Sequence, residues 1–133
     1  RQRQMCIRDS ITNVSGASEV FGYGFVTYWE QAKAKLVGVD PAVIEQYNVV
    51  SAPVAAQMAL GAAQAAGADI GISVTGVAGP DRDDAGHDVG TVYVALSTRN
   101  ETAAQLLHLS GDRSAIRAAA ADEMLRMLLD YLN

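Results

Sequence analysis

The stretch DIGISVTGVAGP, residues 69–80, decides the fold. Its first half is a short apolar run, which predicts a buried strand over residues 70–74. Its second half, TGVAGP at residues 75–80, consists of small residues punctuated by glycine and proline, as is typical of a loop. A strand that ends in such a loop is where α/β proteins usually bind a ligand. We therefore predict that residues 75–80 form the floor of a small-molecule site, with a plain strand-exit turn as the alternative.

The segments around this stretch alternate between strand and helix patterns. VGTVYVALS at residues 89–97 predicts a second strand, with residues 102–109 as its hairpin partner. The aromatic run FGYGFVTYW at residues 21–29 predicts a further strand. Two glycines, Gly38 and Gly67, predict where helices end. N-capping residues predict where helices begin, at Asp40, Ser51 and Asp112. This order of elements predicts a layered α/β domain on a mixed sheet.

Composition excludes several classes of function. The chain has 133 residues, of which 50% are hydrophobic, so one domain with its own core is expected. The net charge of −5 argues against nucleic acid as a partner. No apolar run is long enough to span a bilayer. The single cysteine, Cys6, excludes an internal disulfide and fits a reducing compartment such as the cytoplasm. His87 and His108 lie far apart, so a metal site is not expected, and His87 is predicted to be solvated among aspartates.

The glycine-rich loop offers backbone donors to a ligand. Gly76, Ala78 and Gly79 are small enough for a ligand to approach the backbone, and Thr75 adds a hydroxyl. No Lys-Ser or Lys-Thr pair follows, so the pattern is not a phosphate-binding P-loop.

Two arginines at the start of the last predicted helix form a second candidate group. Arg113 and Arg117 are four residues apart, so they share a face of the helix. Cations near a helix N-terminus oppose the helix dipole at a cost of roughly 0.3–1 kcal/mol each, and a bound anion would reverse that cost. The alternative is that they pair with Asp112 or with the acidic loop at residues 81–88.

A third candidate group follows the aromatic segment. Lys33 and Lys35 are the only lysines of the chain. A lysine buried beside an apolar strand end can act as a base, whereas an ordinary helix lysine is solvated. Tyr28 is either a catalytic acid or a core residue whose hydroxyl has a partner.

Five sequence blocks in register resemble the CinA C-terminal domain family, whose active members are nicotinamide mononucleotide deamidases. The blocks are VTYWEQAKAKLVGV at 26–39, VVS at 49–51, TGVAGP at 75–80, VGTVYVA at 89–95 and GDRSAIR at 111–117. The resemblance covers residues 11–133.

The resemblance implies a three-layer α/β/α sandwich with a mixed, mostly parallel sheet, and self-association. It implies hydrolysis of the carboxamide of nicotinamide mononucleotide to nicotinic acid mononucleotide and ammonia, without metal or organic cofactor. Lys33 falls on the family's lysine position and Tyr28 on its tyrosine, and both would assist a serine nucleophile. Arg113 falls on an arginine that helps hold the substrate, and residues 75–80 resemble the substrate loop.

The family's serine lies in a Glu-Ser-Cys-Thr-Gly-Gly segment on the first strand and helix. That segment would precede Ile11, and nothing in residues 1–10, RQRQMCIRDS, matches it. We therefore expect residues 1–10 to be a non-native or disordered leader, with the first strand and most of the first helix missing. The complete protein would then be a deamidase, and this chain would have little or no activity. The alternatives are a non-catalytic nucleotide-binding or oligomerisation module, or a structural subunit that buries a sheet edge in a partner.

Overall fold

The computed structural model describes residues 7–8, 10–27, 29–83 and 86–133, and it shows an α/β fold. Residues 7–8 and 10–12 are helical, and Ile7 is buried in the core. The elements that follow are a 3₁₀ turn at Ala17–Glu19, helices α1 (Glu30–Val37), α2 (Pro41–Tyr47) and α3 (Ala52–Ala66), strands β1 (Gly71–Gly76), β2 (Thr91–Ser97) and β3 (Thr102–His108), and helix α4 (Arg113–Leu132). The α/β class expected from the sequence is confirmed.

The three strands form one sheet in the order β1-β2-β3. Both pairs are antiparallel, with Gly71 opposite Ser97 and Thr91 opposite His108. The expectation of a mostly parallel sheet therefore does not hold for the described strands. Parallel neighbours need a crossover of about a dozen or more residues, usually helical. Here a short turn joins β2 to β3, and the described residues between β1 and β2 contain no helix.

Side chains of β2 alternate between two helical layers, as the period of a strand requires. Val92, Val94 and Leu96 pack in the main core cluster with Ile116 and Met124 of α4. Ala95 faces the other way and packs against Ala55 and Ala59 of α3. The sheet thus lies between α3 and α4, which is the three-layer arrangement expected.

Helix α3 connects the sheet to the outer helices. Ser73 in β1 donates a 2.6 Å hydrogen bond to the carbonyl of Ala55. On its other side α3 packs against α1, where a side chain at Gly61 would place its Cβ 1.5 Å from the Val37 carbonyl oxygen. The close packing of α1 on α3 therefore requires glycine at this position.

The predicted helix ends are confirmed. Asp40, Ser51 and Asp112 each accept a hydrogen bond from a backbone N–H in the first turn of their helix. Gly38 and Gly67 end α1 and α3 in the left-handed conformation, with φ of 68° and 64°. These residues terminate the helices because they satisfy backbone groups that no helical bond can reach.

The strand predicted over residues 21–29 is not formed in its described part, since residues 21–27 and 29 have no regular secondary structure. A strand needs a neighbour for its backbone groups, and none of the three described strands pairs with this segment. Gly22 and Gly24 further weaken the tendency of this aromatic run to extend as a strand.

In the described part of the chain, no helix has the length and apolar character that crossing a bilayer requires.

Candidate functional site

The end of β1 is fixed to the loop before α3. Thr75 is buried, and its hydroxyl donates a 2.7 Å hydrogen bond to the carbonyl of Val49. The hydroxyl proton is therefore already used, so a ligand could be bound only through the remaining lone pair of this oxygen. The main effect of Thr75 is to place Val49 beside the sheet.

The predicted substrate loop begins at the end of β1, where two backbone hydrogen bonds hold it to the start of β2. The N–H of Val77 donates to Thr91 O at 2.9 Å, and the N–H of Gly90 donates to Val77 O at 2.8 Å. A Cβ at Gly76 would lie 2.7 Å from the Thr91 carbonyl oxygen, so glycine is needed there as well. Ala78 is buried in the core, so its side chain serves packing.

Arg113 contacts this loop directly. Its Nη1 donates to the Gly79 carbonyl at 2.8 Å, which joins the start of α4 to the loop. The carboxylate of Asp112 accepts from the N–H of Ala115 at 2.8 Å and so caps the helix. Arg113 remains solvent-exposed, and Arg117 lies half-buried one turn further along. The structure thus brings the first arginine and the loop together.

Lys33 is buried, with 6% of its surface exposed. Its Nζ donates to the carbonyl of Thr27, in the segment just before α1. Lys35, two residues later on the same helix, is exposed. The alternative of a solvated helix charge therefore applies to Lys35 and not to Lys33. Tyr28 lies outside the described residues.

Thr27 is a feature that the sequence reasoning missed. The residue is only 4% exposed, and among the described residues its hydroxyl oxygen has no hydrogen-bond partner. Leaving such a group unpaired costs about 1–3 kcal/mol, so an unpaired buried hydroxyl beside a buried lysine needs an explanation. The only signal in the sequence was its place in the VTY block.

An open depression of about 520 Å³ lies beside these groups, lined by Trp29, Glu30, Gln31 and Val49. Val49 is the residue held by Thr75, and the Trp29 carbonyl accepts a 3.2 Å hydrogen bond from the N–H of Lys33. The depression therefore connects the end of β1 with the start of α1. Trp29 was not identified as a site residue from the sequence.

The sequence predicted that His87 is solvated, but in the structure it pairs with Asp83. Asp83 accepts from the backbone N–H of His87 at 2.6 Å, and its second carboxylate oxygen lies 2.6 Å from His87 Nδ1. Both side chains are half-buried. In the described ranges, no three or more His, Cys, Asp or Glu side chains cluster in a way that could hold a metal ion.

Comparison with known proteins gives consistent results. Residues 6–132 match the family model of the CinA C-terminal domain. The chain is 43% identical over 119 residues to the nicotinamide-nucleotide amidohydrolase PncC of Escherichia coli K12, covering 89% of this chain and 72% of that protein. It is 42% identical over 122 residues to a CinA-like protein of Geobacter sp. M21, covering 92% of this chain but only 30% of that longer protein.

A solved structure shows the same fold. The competence or damage-inducible protein from Enterobacter asburiae superposes with a TM-score of 0.95 at 30% identity, over 98% of this chain and 82% of that one. The family match begins at residue 6, inside the segment of residues 1–10 that is predicted to be a leader. The position of that boundary stays a prediction.

Proposed function

The chain belongs to the CinA C-terminal domain family, and from this premise we propose that the protein hydrolyses the carboxamide of nicotinamide mononucleotide. The products are nicotinic acid mononucleotide and ammonia. A relative named nicotinamide-nucleotide amidohydrolase, of which this chain spans 72%, supports the choice of substrate. The observation in the structure that carries the proposal is the buried Lys33.

Lys33 is suited to activate a nucleophile. An amide is a poor electrophile, so a hydroxyl that attacks it needs a base to accept its proton. Buried lysines serve as bases in enzymes because burial favours the neutral amine, which can accept a proton. The hydrogen bond from Nζ to Thr27 O holds the amine of Lys33 in place. The amine would accept the proton of the attacking serine and return it to the departing ammonia, and water would then hydrolyse the acyl-enzyme ester to give the acid and free the serine.

The loop and Arg113 supply binding and charge stabilisation. Of the loop donors, the N–H of Val77 is used by Thr91, which leaves those of Ala78 and Gly79 to bind the substrate beside Arg113. Arg113 would bind the phosphate. An arginine has five N–H donors, and its bond to Gly79 orients the side chain before the ligand arrives. Arg117, on the same face, would add positive charge.

The resemblance places the serine nucleophile of this reaction in a Glu-Ser-Cys-Thr-Gly-Gly segment. The 133 residues contain no such segment. We therefore propose that these 133 residues bind the nucleotide and turn it over slowly or not at all, and that turnover needs a serine from such a segment. The second candidate function is a non-catalytic nucleotide-binding module. It is favoured by the absence of the serine segment from these 133 residues.

The experiment measures ammonia release from nicotinamide mononucleotide by two chains. One is the 133-residue chain, and the other carries the family's serine segment and first strand in front of it. We expect release by the extended chain and at least a 100-fold lower rate from the shorter one. Full activity of the shorter chain would show that the segment is not needed. Binding without turnover by the extended chain would favour the non-catalytic module.

We also propose that the protein works in the cytoplasm and self-associates. The single cysteine supports the first point. The last turn of α4 exposes Leu129 and Leu132, which supports the second, because exposed apolar residues of this kind favour association. Light scattering of the purified chain tests self-association, with Leu129→Glu expected to yield monomers.

A further inference from the structure

Trp29 is an exposed aromatic residue in the lining of the open depression. The residue is 75% exposed and lines the depression together with Glu30, Gln31 and Val49. It precedes α1 at the N-cap position, yet its side chain makes no capping hydrogen bond. Its indole surface is therefore exposed to solvent, as are Val20, Tyr23 and Val26 in the segment before it, and the capping position does not itself require a tryptophan.

The chemistry of this depression suits a flat cation. Tryptophan attracts cations to its ring face more strongly than the other aromatic side chains do. Glu30, next to it in the lining of this open depression, adds a carboxylate. The oxidised pyridine ring of a nicotinamide nucleotide is both flat and positively charged.

Hydrogen bonds connect the depression, through β1, to the loop that Arg113 contacts. Thr75 connects the depression to β1 through Val49, and the loop that follows β1 ends at Gly79, where Arg113 is bound. The side with Trp29 and Glu30 suits the cationic ring, and the arginine side suits the anionic phosphate. Lys33 lies one turn after Trp29, which keeps the proposed base near the ring that carries the amide.

We propose that Trp29 stacks on the cationic pyridinium ring, with Glu30 as an additional negative charge, and so selects oxidised pyridine nucleotides over their reduced, uncharged forms. This inference rests on the proposed function. It adds a specificity-determining residue to the site, and it concerns binding, so it can be tested on the 133-residue chain without turnover.

The first measurement uses the fact that Trp29 is the only tryptophan of the chain. Intrinsic fluorescence at 295 nm excitation therefore reports on this residue alone. Nicotinamide mononucleotide is expected to quench it with saturation, whereas ribose 5-phosphate, which lacks the ring, is expected to leave it unchanged. Unchanged fluorescence with bound nucleotide would overturn the inference.

The second measurement is calorimetry on Trp29→Leu and Trp29→Phe. We expect the leucine variant to bind nicotinamide mononucleotide roughly tenfold more weakly, and the phenylalanine variant to lie between it and the wild type. Both should bind ribose 5-phosphate as the wild type does. Tyr131→Leu, another exposed aromatic, is the matched control, because it lies 18 residues after Arg113 on a helix, about 27 Å away.

Reduced, dihydropyridine nicotinamide mononucleotide tests the role of the charge. We expect the wild type to bind it about tenfold more weakly than the oxidised form, and Trp29→Leu to remove this difference. The inference would be overturned, without affecting the proposed function, if the wild type bound both forms equally. It would also be overturned if Trp29→Leu weakened binding of the nucleotide and of ribose 5-phosphate by the same factor. If a chain shown by circular dichroism to be folded binds neither ligand, the proposed function itself fails.

Discussion

The hydroxyl of Thr75 donates a 2.7 Å hydrogen bond to the carbonyl of Val49, across 26 residues of sequence. The bond fixes the last turn before α3 against the end of β1. It also sets one wall of the depression that contains Trp29, since Val49 is part of its lining. The shape of the proposed ring site therefore depends on a strand residue that does not itself line it.

Thr75→Val removes this bond and leaves the Val49 carbonyl without its partner. We expect the free energy of unfolding to fall by about 0.5–1.5 kcal/mol, the net contribution of a typical hydrogen bond, because this bond is only part-buried. Urea unfolding followed by circular dichroism measures it. Thr12→Val, at an exposed threonine, is the control and should change stability by less than about 0.5 kcal/mol. Equal effects of the two substitutions would contradict the role assigned to Thr75.

Thr27→Val makes the same chemical change with the opposite expected sign. The hydroxyl of Thr27 is buried, and no partner for it exists among the described residues, so its replacement by a methyl group breaks no bond. We expect stability to stay the same or to rise by up to about 1 kcal/mol. The same urea experiment measures it. A loss as large as that of Thr75→Val would mean that the Thr27 hydroxyl has a partner in solution.

Lys33→Met tests the proposed base. Methionine keeps much of the apolar length of the side chain but cannot transfer a proton, so we expect the rate of ammonia release to fall by about 10²- to 10⁴-fold. The assay uses the extended chain that carries the serine segment. Lys35→Met, on the exposed side of the same helix, should stay within about twofold of the wild type. A Lys33→Met enzyme of normal kcat would exclude Lys33 as the base.

Arg113→Gln tests phosphate binding. We expect KM for nicotinamide mononucleotide to rise about tenfold or more with kcat nearly unchanged, because a charge-assisted contact contributes about 1.5–3 kcal/mol. KM for nicotinamide riboside, which has no phosphate, should not change.

Arg126→Gln is the matched control, because it lies 13 residues further along α4 and is exposed. It should leave KM for the nucleotide as in the wild type. An equal rise of KM for the nucleotide and the riboside in Arg113→Gln would show that Arg113 does not contact the phosphate.

Local features of the fold were predictable from the sequence. Asp40, Ser51 and Asp112 act as helix caps because each offers an oxygen at short range to the next turn, and a few residues of sequence contain that information. The strand after residue 70 was predictable for the same reason, although it continues to Gly76. Gly38 ends α1 as predicted, because its left-handed conformation suits glycine.

Features set by tertiary contacts were not predictable in the same way. The aromatic run at 21–27 has the composition of a strand but lacks a neighbour among the described strands. The direction of the strands depends on how the connections pass over the sheet. Likewise, the difference between Lys33 and Lys35 in burial comes from how α1 packs, and the sequence alone left both as candidates. The pairing of His87 with Asp83 depends on the path of the loop.

The loop between β1 and β2 is closed at its base by the two hydrogen bonds that link Val77 with Thr91 and Gly90. The register of the two strands is therefore held by bonds that lie outside residues 81–87. Lengthening such a loop is inexpensive, since each doubling adds only about 0.6 kcal/mol to the free energy of closure. This segment is thus a position at which the domain can change in length, or accept a grafted peptide, while the sheet beneath it keeps its alignment.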